Sequence, residues 1–275
     1  MTRVIAEVGS AVPLWFWVVC AGVLGLVMGS FVSAVAARVP AGESLMTRSH
    51  CPVCLNQIRS RDNVPLLSWL LLRGKCRDCQ AGIPARYPLL ELSAGVAFAA
   101  LTWIMVPQVG AFTLVLLAFA ACCLALAVID WQTYTLPNVI VAVATVVAVT
   151  GVLVRAAATS DWGSLLTPAV AGFAYGAFYF MIFVGTRGRG LGFGDVKLAP
   201  CLGVMAGSFG AGAAAVGFVA PFLLAGPPLA ILMATGVLKR GTRVPFGPFL
   251  IAGAWVGILV GAPVFDLYLS FFGTS

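Results

Sequence analysis

Three of the nine acidic side chains in this 275-residue chain, Glu91, Asp130 and Asp195, lie at the ends of apolar spans, where a charge is costly. Asp130 ends a long apolar run, and Asp195 lies in a glycine-rich break between two further apolar runs. A charge at membrane depth costs several kcal/mol unless it is paired or hydrated, so such residues are functional candidates. Two carboxylates at the same depth can share one proton, one acting as base toward water and the other as acid toward an amide. The sequence therefore predicts an aspartic dyad, with separate solvation of each carboxylate at a helix end as the alternative.

The glycines before Asp195 indicate that water can reach its carboxylate. Gly192 and Gly194 permit backbone shapes that are closed to other residues. Irregular backbone at membrane depth is tolerated only where it lines a cavity or is buried in protein, so this break indicates a hydrated site. No strand precedes these glycines, which argues against a dinucleotide-binding loop.

Asp130 ends a helix and Asp195 begins one close to Lys197, so helix dipoles predict Asp195 as the resting base and Asp130 as the resting acid.

Four cysteines form two CxxC pairs, and 21 residues separate the pairs. The first pair is Cys51 and Cys54, and the second is Cys76 and Cys79. This spacing is typical of a structural zinc site with four thiolate ligands. The alternatives are two disulfides or four free thiols. His50 adjoins the first pair, but four cysteines already complete a tetrahedral shell, so we interpret it as a bystander.

The elements that position these groups are predicted to be transmembrane helices. Hydrophobic residues make up 61% of the chain and charged residues 9%, and the mean hydropathy is +1.05. Soluble domains average about 25% charged residues. We therefore predict an all-α polytopic membrane protein with about eight transmembrane helices and a zinc-binding loop between the first two. The predicted spans are 13–38, 89–106, 111–130, 138–154, 164–185, 196–213, 217–238 and 248–270.

The basic residues predict the orientation in the membrane. With eight spans, 14 of the 16 lysines and arginines fall on one face and only Arg3 and Arg155 on the other. The positive-inside rule makes the first face cytoplasmic, with both termini outside. The net charge of +7 then reflects topology and contact with anionic lipid rather than nucleic-acid binding. We predict three parts: a first transmembrane helix (1–39), a cytoplasmic zinc-binding loop (40–88) and a transmembrane core (89–275).

Motifs along most of the chain resemble the type IV prepilin peptidases, which are GxGD-type intramembrane aspartic proteases. The resemblance implies cleavage of the short basic leader of type IV prepilins or pseudopilins at the cytoplasmic face of the bacterial inner membrane. It implies that Asp130 and Asp195 are the catalytic pair, supported by Gly192, Gly194 and Lys197, and that the four cysteines bind structural zinc. The matching segments are 29–31, 38–40, 51–54, 61–70, 73–79, 86–91, 129–130, 136–138, 192–198 and 245–249.

In relatives that carry the cysteine loop, the resemblance also implies methylation of the new N-terminus from S-adenosylmethionine. Candidates for the methyl-donor or substrate site are Arg86, Glu91, Asp62 and Asn63. Ser33 departs from the family motif, which commonly has Asn there, and a protease without methyltransferase activity is the alternative. A proton-coupled transporter would explain the spans but not the cysteine loop or the Gly-x-Gly-Asp break. A membrane scaffold would use the cysteine loop as a docking module and predicts that Asp130→Asn and Asp195→Asn are harmless.

Overall fold

The structure is a computed structural model that describes residues 12–237 and 244–272. Arg3, Lys239, Arg240 and Arg243, which contribute to the topology argument, lie outside these ranges. The described residues form helices and no strand, with isolated bridges only at His50–Gln57 and Lys75–Gly82. The α-helices are α1 (Leu14–Arg38), α2 (Leu67–Leu71), α3 (Arg86–Val109), α4 (Thr113–Thr133), α5 (Asn138–Thr159), α6 (Leu166–Gly185), α7 (Phe193–Gly207), α8 (Ala211–Ala234) and α9 (Gly247–Phe271).

The chain divides into two compact units, Met1–Ala125 and Leu126–Ser275. In the first unit, α1 packs closely against α3 through small residues. A Cβ added at Gly25 would lie 2.5 Å from the carbonyl oxygen of Ala94. A Cβ added at Gly29 would lie 2.7 Å from Cα of Glu91. Both helices are apolar, so close backbone approach and dispersion contacts stabilise the pair where hydrophobicity gives no preference between helix and lipid.

In the second unit, α7 lies among α5, α6, α8 and α9 and contacts all four. Small residues again set the spacing. A Cβ at Gly203 would lie 2.6 Å from the Ala171 carbonyl oxygen, and one at Gly207 would lie 2.8 Å from Cα of Pro168. Ten of the 15 residues of α7 are buried, including Asp195. The fold therefore places the start of its most enclosed helix at the Gly-x-Gly-Asp break.

The predicted span 196–213 is wrong at its end. Helix α7 ends at Gly207, and α8 already begins at Ala211. Gly210 between them has φ of 102°, a conformation that side chains disfavour, and it supports the chain reversal. With 15 residues, α7 is about 22 Å long. The hydrocarbon core of a bilayer is about 30 Å thick, so α7 is too short to cross it alone.

The prolines of α8 do not break it. The sequence predicts a span at 217–238 with breaks at Pro221, Pro227 and Pro228, whereas one continuous helix runs from Ala211 to Ala234. Membrane helices tolerate proline because neighbouring groups can satisfy the freed carbonyls. Pro221 is also buried directly against Gly253 of α9, so its ring serves as a packing surface.

By length and composition, six helical stretches of the described chain could cross a membrane. One of them, Arg86–Thr133, has 48 residues and contains both α3 and α4. A single straight helix of this length would extend about 72 Å, at about 1.5 Å per residue, which is more than twice the thickness of the hydrocarbon core. The short turn Gly110–Phe112 divides it. The prediction of an all-α multi-pass membrane protein is confirmed, with six candidate stretches in place of about eight separate ones.

Candidate active site

Asp130 lies in the last turn of α4, as the sequence predicts. It is 5% exposed, and the surrounding turn contains fully buried side chains such as Ile129. Its Oδ2 accepts a hydrogen bond of 3.1 Å from the backbone N–H of Gly247. Gly247 is the first residue of α9, where backbone N–H groups have no partner within the helix. The start of α9 therefore supplies a hydrogen-bond donor that holds this carboxylate in place.

Asp195 lies in the first turn of α7 and is 7% exposed. A Cβ added at Gly192 would lie 3.3 Å from its Oδ2, so this glycine leaves room beside the carboxylate. Its Oδ1 is buried and accepts no hydrogen bond from any described residue. A buried polar oxygen without a partner costs about 1–3 kcal/mol. Such a group is typical of a functional site that binds water or substrate.

Gly247 is the point at which the two carboxylates meet. A Cβ added there would lie 2.7 Å from Oδ2 of Asp130 and 3.5 Å from Oδ1 of Asp195. Oδ2 of Asp130 and Oδ1 of Asp195 are therefore at most about 6 Å apart, since both distances start from the same point. Two buried carboxylates this close cannot both ionise cheaply, which is the arrangement that lets a pair share one proton.

The glycine-rich segment before α7 packs on the segment after α4. A Cβ at Gly194 would lie 3.0 Å from Cβ of Leu136, so the chain approaches closely at this point. From the sequence, we expect Lys197 to stabilise the ionised form of the Asp195 carboxylate. Instead, its Nζ donates a hydrogen bond of 2.8 Å to Oδ1 of Asn138 and lies 4.6 Å from the centroid of the Phe193 ring. Lys197 thus connects the starts of α5 and α7.

The four cysteines come together as predicted. Their Sγ atoms all lie within 4.8 Å of one another, and those of Cys51 and Cys79 are 3.8 Å apart. A tetrahedral zinc ion with Zn–S bonds of about 2.3 Å requires sulfur atoms about 3.8 Å apart, so this cluster fits a metal ion. Backbone N–H groups of Cys54 and Val53 lower the pKa of the Cys51 thiol to about 6. The pKa values of Cys54 and Cys79 are raised, with burial and neighbouring thiols opposing ionisation, so the four thiols do not all ionise without a cation.

The two CxxC pairs form turns of the same geometry. In the first, Cys51 N–H donates to Asn56 O at 2.9 Å, and Leu55 N–H donates back to Cys51 O. In the second, Cys76 N–H donates to Ala81 O at 2.8 Å, and Gln80 N–H donates to Cys76 O. Repetition of one turn at both pairs is what a single ion with four equivalent ligands requires.

Ion pairs support the cysteine loop. Arg77 binds Asp62 through two hydrogen bonds, of 2.8 Å and 2.6 Å, and this contact lowers the pKa of Asp62. Arg59 lies 3.4 Å from Asp78. Trp69 donates from Nε1 to the Ile83 carbonyl at 3.1 Å. The loop is thus held by contacts between its own two halves.

The candidates for the methyl-donor site are divided between α3 and the loop. Glu91 is buried, and its carboxylate accepts a 2.8 Å hydrogen bond from the backbone N–H of Leu66. Leu66 has φ of 58°, so Glu91 holds a strained turn three residues after Asn63. The carboxylate of Asp62 binds Arg77, as described above. The guanidinium of Arg86 lies over the Tyr87 ring. The structure therefore brings Glu91 to the turn that follows Asp62 and Asn63.

Sequence reasoning missed two residues of the dyad region. Gly247 was recognised only as part of the segment 245–249, with no role, although the glycine between Phe246 and Pro248 was a signal of close backbone approach. Tyr179 was not singled out, because a tyrosine in an apolar helix has no distinguishing pattern. Its hydroxyl is buried without a hydrogen-bond partner among the described residues.

Comparison with known proteins agrees with this arrangement. A family model described as the bacterial Peptidase A24 N-terminal domain matches residues 23–105. A second model, described as the type IV leader peptidase family, matches residues 117–274. The first match contains the four cysteines, and the second contains both aspartates of the candidate dyad. No solved structure matches the chain.

Curated relatives are similar over nearly the whole chain. A prepilin leader peptidase/N-methyltransferase of Stutzerimonas stutzeri is 32% identical, with 94% of this chain and 96% of the relative covered. A type 4 prepilin-like proteins leader peptide-processing enzyme of Escherichia coli is 36% identical, with 89% and 94% covered. A prepilin leader peptidase/N-methyltransferase of Pseudomonas aeruginosa is 31% identical, with 95% and 96% covered. The family match and these relatives together show that the chain belongs to the type IV leader peptidase family.

Proposed function

We propose that this protein cleaves the leader peptide of type IV prepilins or pseudopilins and methylates the new N-terminus. The observation that carries the proposal is the convergence of Asp130 and Asp195 on Gly247 in a buried site. The names of the relatives support the substrate class and both activities. A zinc ion in the cysteine cluster has a structural role, because the four thiolates leave no open position for water.

The reaction at the dyad is hydrolysis of one peptide bond. Together the two carboxylates hold one proton. The pair removes a proton from a water molecule, whose oxygen forms a bond to the scissile carbonyl carbon. The proton held by the pair passes to the amide nitrogen, and the C–N bond breaks. The products are the carboxylate of the leader and the free amine of the mature pilin.

We propose the carboxylates as a coupled pair, without assigning the resting proton to one residue. The end of α4 disfavours charge on Asp130, as the helix dipole predicts. The N–H of Gly247 acts in the opposite direction, because a donor stabilises the carboxylate that accepts its hydrogen bond. These influences oppose each other on Asp130, and the two carboxylates lie close enough to repel each other when both are charged. The two groups therefore titrate as a unit.

S-adenosylmethionine would supply the methyl group that the new amine accepts. We propose that the site includes Glu91 and the turn around Asp62 and Asn63, with Arg86 at the start of α3. The support is the Glu91–Leu66 hydrogen bond, which holds that turn against α3. Glu91 thereby orients the turn that contains Leu66 and follows Asp62 and Asn63.

We propose a location in the bacterial inner membrane, with both termini outside and the cysteine loop in the cytoplasm. The described helices of 15 residues or more number eight when α3 and α4 are counted separately and α7 is counted as a crossing within the bundle. With these eight crossings, the distribution of lysine and arginine supports this orientation. The functional division that we propose is a first helix at 1–39, a zinc-binding loop at 40–88 and a protease core at 89–275. The dyad and all three helices that supply it lie in the last of these.

The direct test is co-expression with a prepilin, followed by mass measurement of the processed pilin. Wild type, Asp130→Asn and Asp195→Asn are compared at equal membrane abundance. We expect leader loss and a mass gain of one methyl group with wild type only. Each substitution keeps the shape of the side chain while removing the acid, so the variants test chemistry rather than packing.

The outcomes separate the competing functions. Equal processing by all three proteins would contradict the dyad and favour a scaffold. Leader loss without methyl gain in wild type would identify a protease without methyltransferase activity. Absence of processing with a panel of type IV prepilins would contradict the proposed substrate class.

A further inference from the structure

Tyr179 is a buried phenol whose hydroxyl has no assigned role. It lies on α6, nearly two turns before the end of the helix, and is 1% exposed. Its hydroxyl makes no hydrogen bond with the described residues. The phenol is close enough to Asp195 for the two groups to interact electrostatically. Oδ1 of Asp195 is likewise buried and has no hydrogen-bond partner within residues 12–237 and 244–272. Two unsatisfied polar groups in one apolar region indicate a shared third partner.

The packing of α6 against α7 places Tyr179 beside the start of α7. The two helices are antiparallel, and Gly172 lies opposite Val204 while Gly176 lies opposite Pro200. Further along, the rings of Phe183 and Phe193 are 5.3 Å apart. Tyr179 falls between these last two contacts, so it lies level with the first turns of α7. That is the part of the helix that carries Asp195.

Aromatic side chains hold the Tyr179 ring. It stacks on Phe222 with an interplanar angle of 7° and a centroid distance of 6.0 Å. Phe178 meets it edge-on at 5.4 Å. Phe246 lies 6.4 Å away and directly precedes Gly247, the residue that binds Asp130. The ring is therefore fixed by packing, and its hydroxyl is free to serve the site.

We propose that the hydroxyl of Tyr179 is a third catalytic group, which holds the attacking water together with Asp195. This inference rests on the proposed peptidase function. The water donates one hydrogen bond to Oδ1 of Asp195 and a second to the hydroxyl oxygen of Tyr179. Its remaining lone pairs then face the scissile carbonyl carbon. The phenol keeps its own proton throughout, and the water proton passes to the aspartate pair as described above.

Tyr175 provides a matched control on the same helix. It is one turn away from Tyr179, is also buried, and also packs on Phe218. Its hydroxyl, however, donates to the backbone carbonyl of Ala214 on α8. The difference that the test uses is in the hydroxyl groups: that of Tyr175 has a structural partner, and that of Tyr179 has none in the part of the chain that the structure describes.

The test compares Tyr179→Phe with Tyr175→Phe in the full-length protein, reconstituted in vesicles with a prepilin substrate. For Tyr179→Phe we expect kcat to fall about 2- to 10-fold, because one hydrogen bond between neutral groups, to the reacting water, is lost. We expect its KM to change little and its Tm to be unchanged or raised. For Tyr175→Phe we expect the opposite pattern: a lower Tm and a kcat close to wild type.

The outcomes are distinguishable from failure of the proposed function. If wild type cleaves the prepilin and Tyr179→Phe has the same kcat, the water-holding role is wrong while the peptidase function stands. If Tyr179→Phe loses Tm and kcat together, as a packing defect would, the catalytic role is also wrong. If wild type itself fails to cleave, the proposed function fails first.

Discussion

Gly247 offers a sharp test of the dyad, because alanine there would place a methyl group between the two carboxylates. The added Cβ would lie 2.7 Å from Oδ2 of Asp130, whereas ordinary contacts begin at 3.4 Å. The backbone of Gly247 does not have positive φ, so alanine is allowed conformationally. The atom that must move is the end of a short side chain. We therefore expect little loss of stability and a displaced carboxylate.

The size of the effect follows from two contributions. The displaced carboxylate loses or weakens its 3.1 Å hydrogen bond from Gly247 N–H. Hydrogen bonds to charged groups contribute about 1.5–3 kcal/mol, and about 1.4 kcal/mol corresponds to a tenfold change in rate. Misplacement of a reactive group by about 1 Å can cost a factor of about 100. For Gly247→Ala we expect kcat to fall about 10- to 100-fold.

The assay is the initial rate of leader cleavage by purified protein in vesicles, with Tm measured on the same samples. Gly226→Ala is the control, because a Cβ at this exposed glycine of α8 would meet nothing within 4 Å. It should cleave like wild type. A Gly247→Ala protein with full kcat would refute the reasoning, since the geometry leaves no space for an undisturbed Asp130.

Three further predictions concern the first unit. Wild type should contain one zinc per chain by elemental analysis, and Cys51→Ser should lose it, because one of four thiolate ligands is removed. Arg77 holds the pKa of Asp62 low, so the stability that this contact contributes is present above the ordinary carboxyl pKa and is lost as pH falls through the lowered value. The protection of the loop amides from hydrogen exchange, taken relative to the intrinsic exchange rate at each pH, should therefore fall below about pH 4 in wild type. Arg77→Gln should remove that dependence. Gly25→Ala should lower the free energy of unfolding by about 1–3 kcal/mol through overpacking, whereas Gly22→Ala, whose Cβ would make an ordinary 3.6 Å contact, should not.

The helix boundaries that could be predicted from the sequence are those that fall at charged or polar residues. The ends of α1 at Arg38 and of α4 just after Asp130 follow from the cost of placing charge in an apolar environment. The boundary between α7 and α8 was misplaced, because residues 198–238 carry no charge and are rich in glycine and proline. Hydropathy there is uniform, and only the packing of Gly207 and the conformation of Gly210 determine the turn.

The site was predictable to the extent that its groups are chemically distinctive. The cysteine cluster could be recognised because the spacing of two CxxC pairs along the chain is typical of a tetrahedral zinc site. The aspartates could be recognised because acids are rare in apolar runs. The role of Gly247 could not, because a backbone N–H carries no signature in the side chain. Lys197 was assigned to Asp195 from sequence proximity, yet its flexible side chain extends to Asn138 across the start of α5.

The shortness of α7 has a consequence for the membrane around the active site. A helix about 22 Å long in a hydrocarbon layer about 30 Å thick is mismatched by several ångström. Because α7 contacts four other helices, lipid has little access to it, and we expect the missing length to form a recess at the end that carries Asp195. We expect Asp195 to lie at the floor of that recess, below the level of the headgroups. The scissile segment must then enter as extended chain, and thicker bilayers should deepen the recess and slow cleavage.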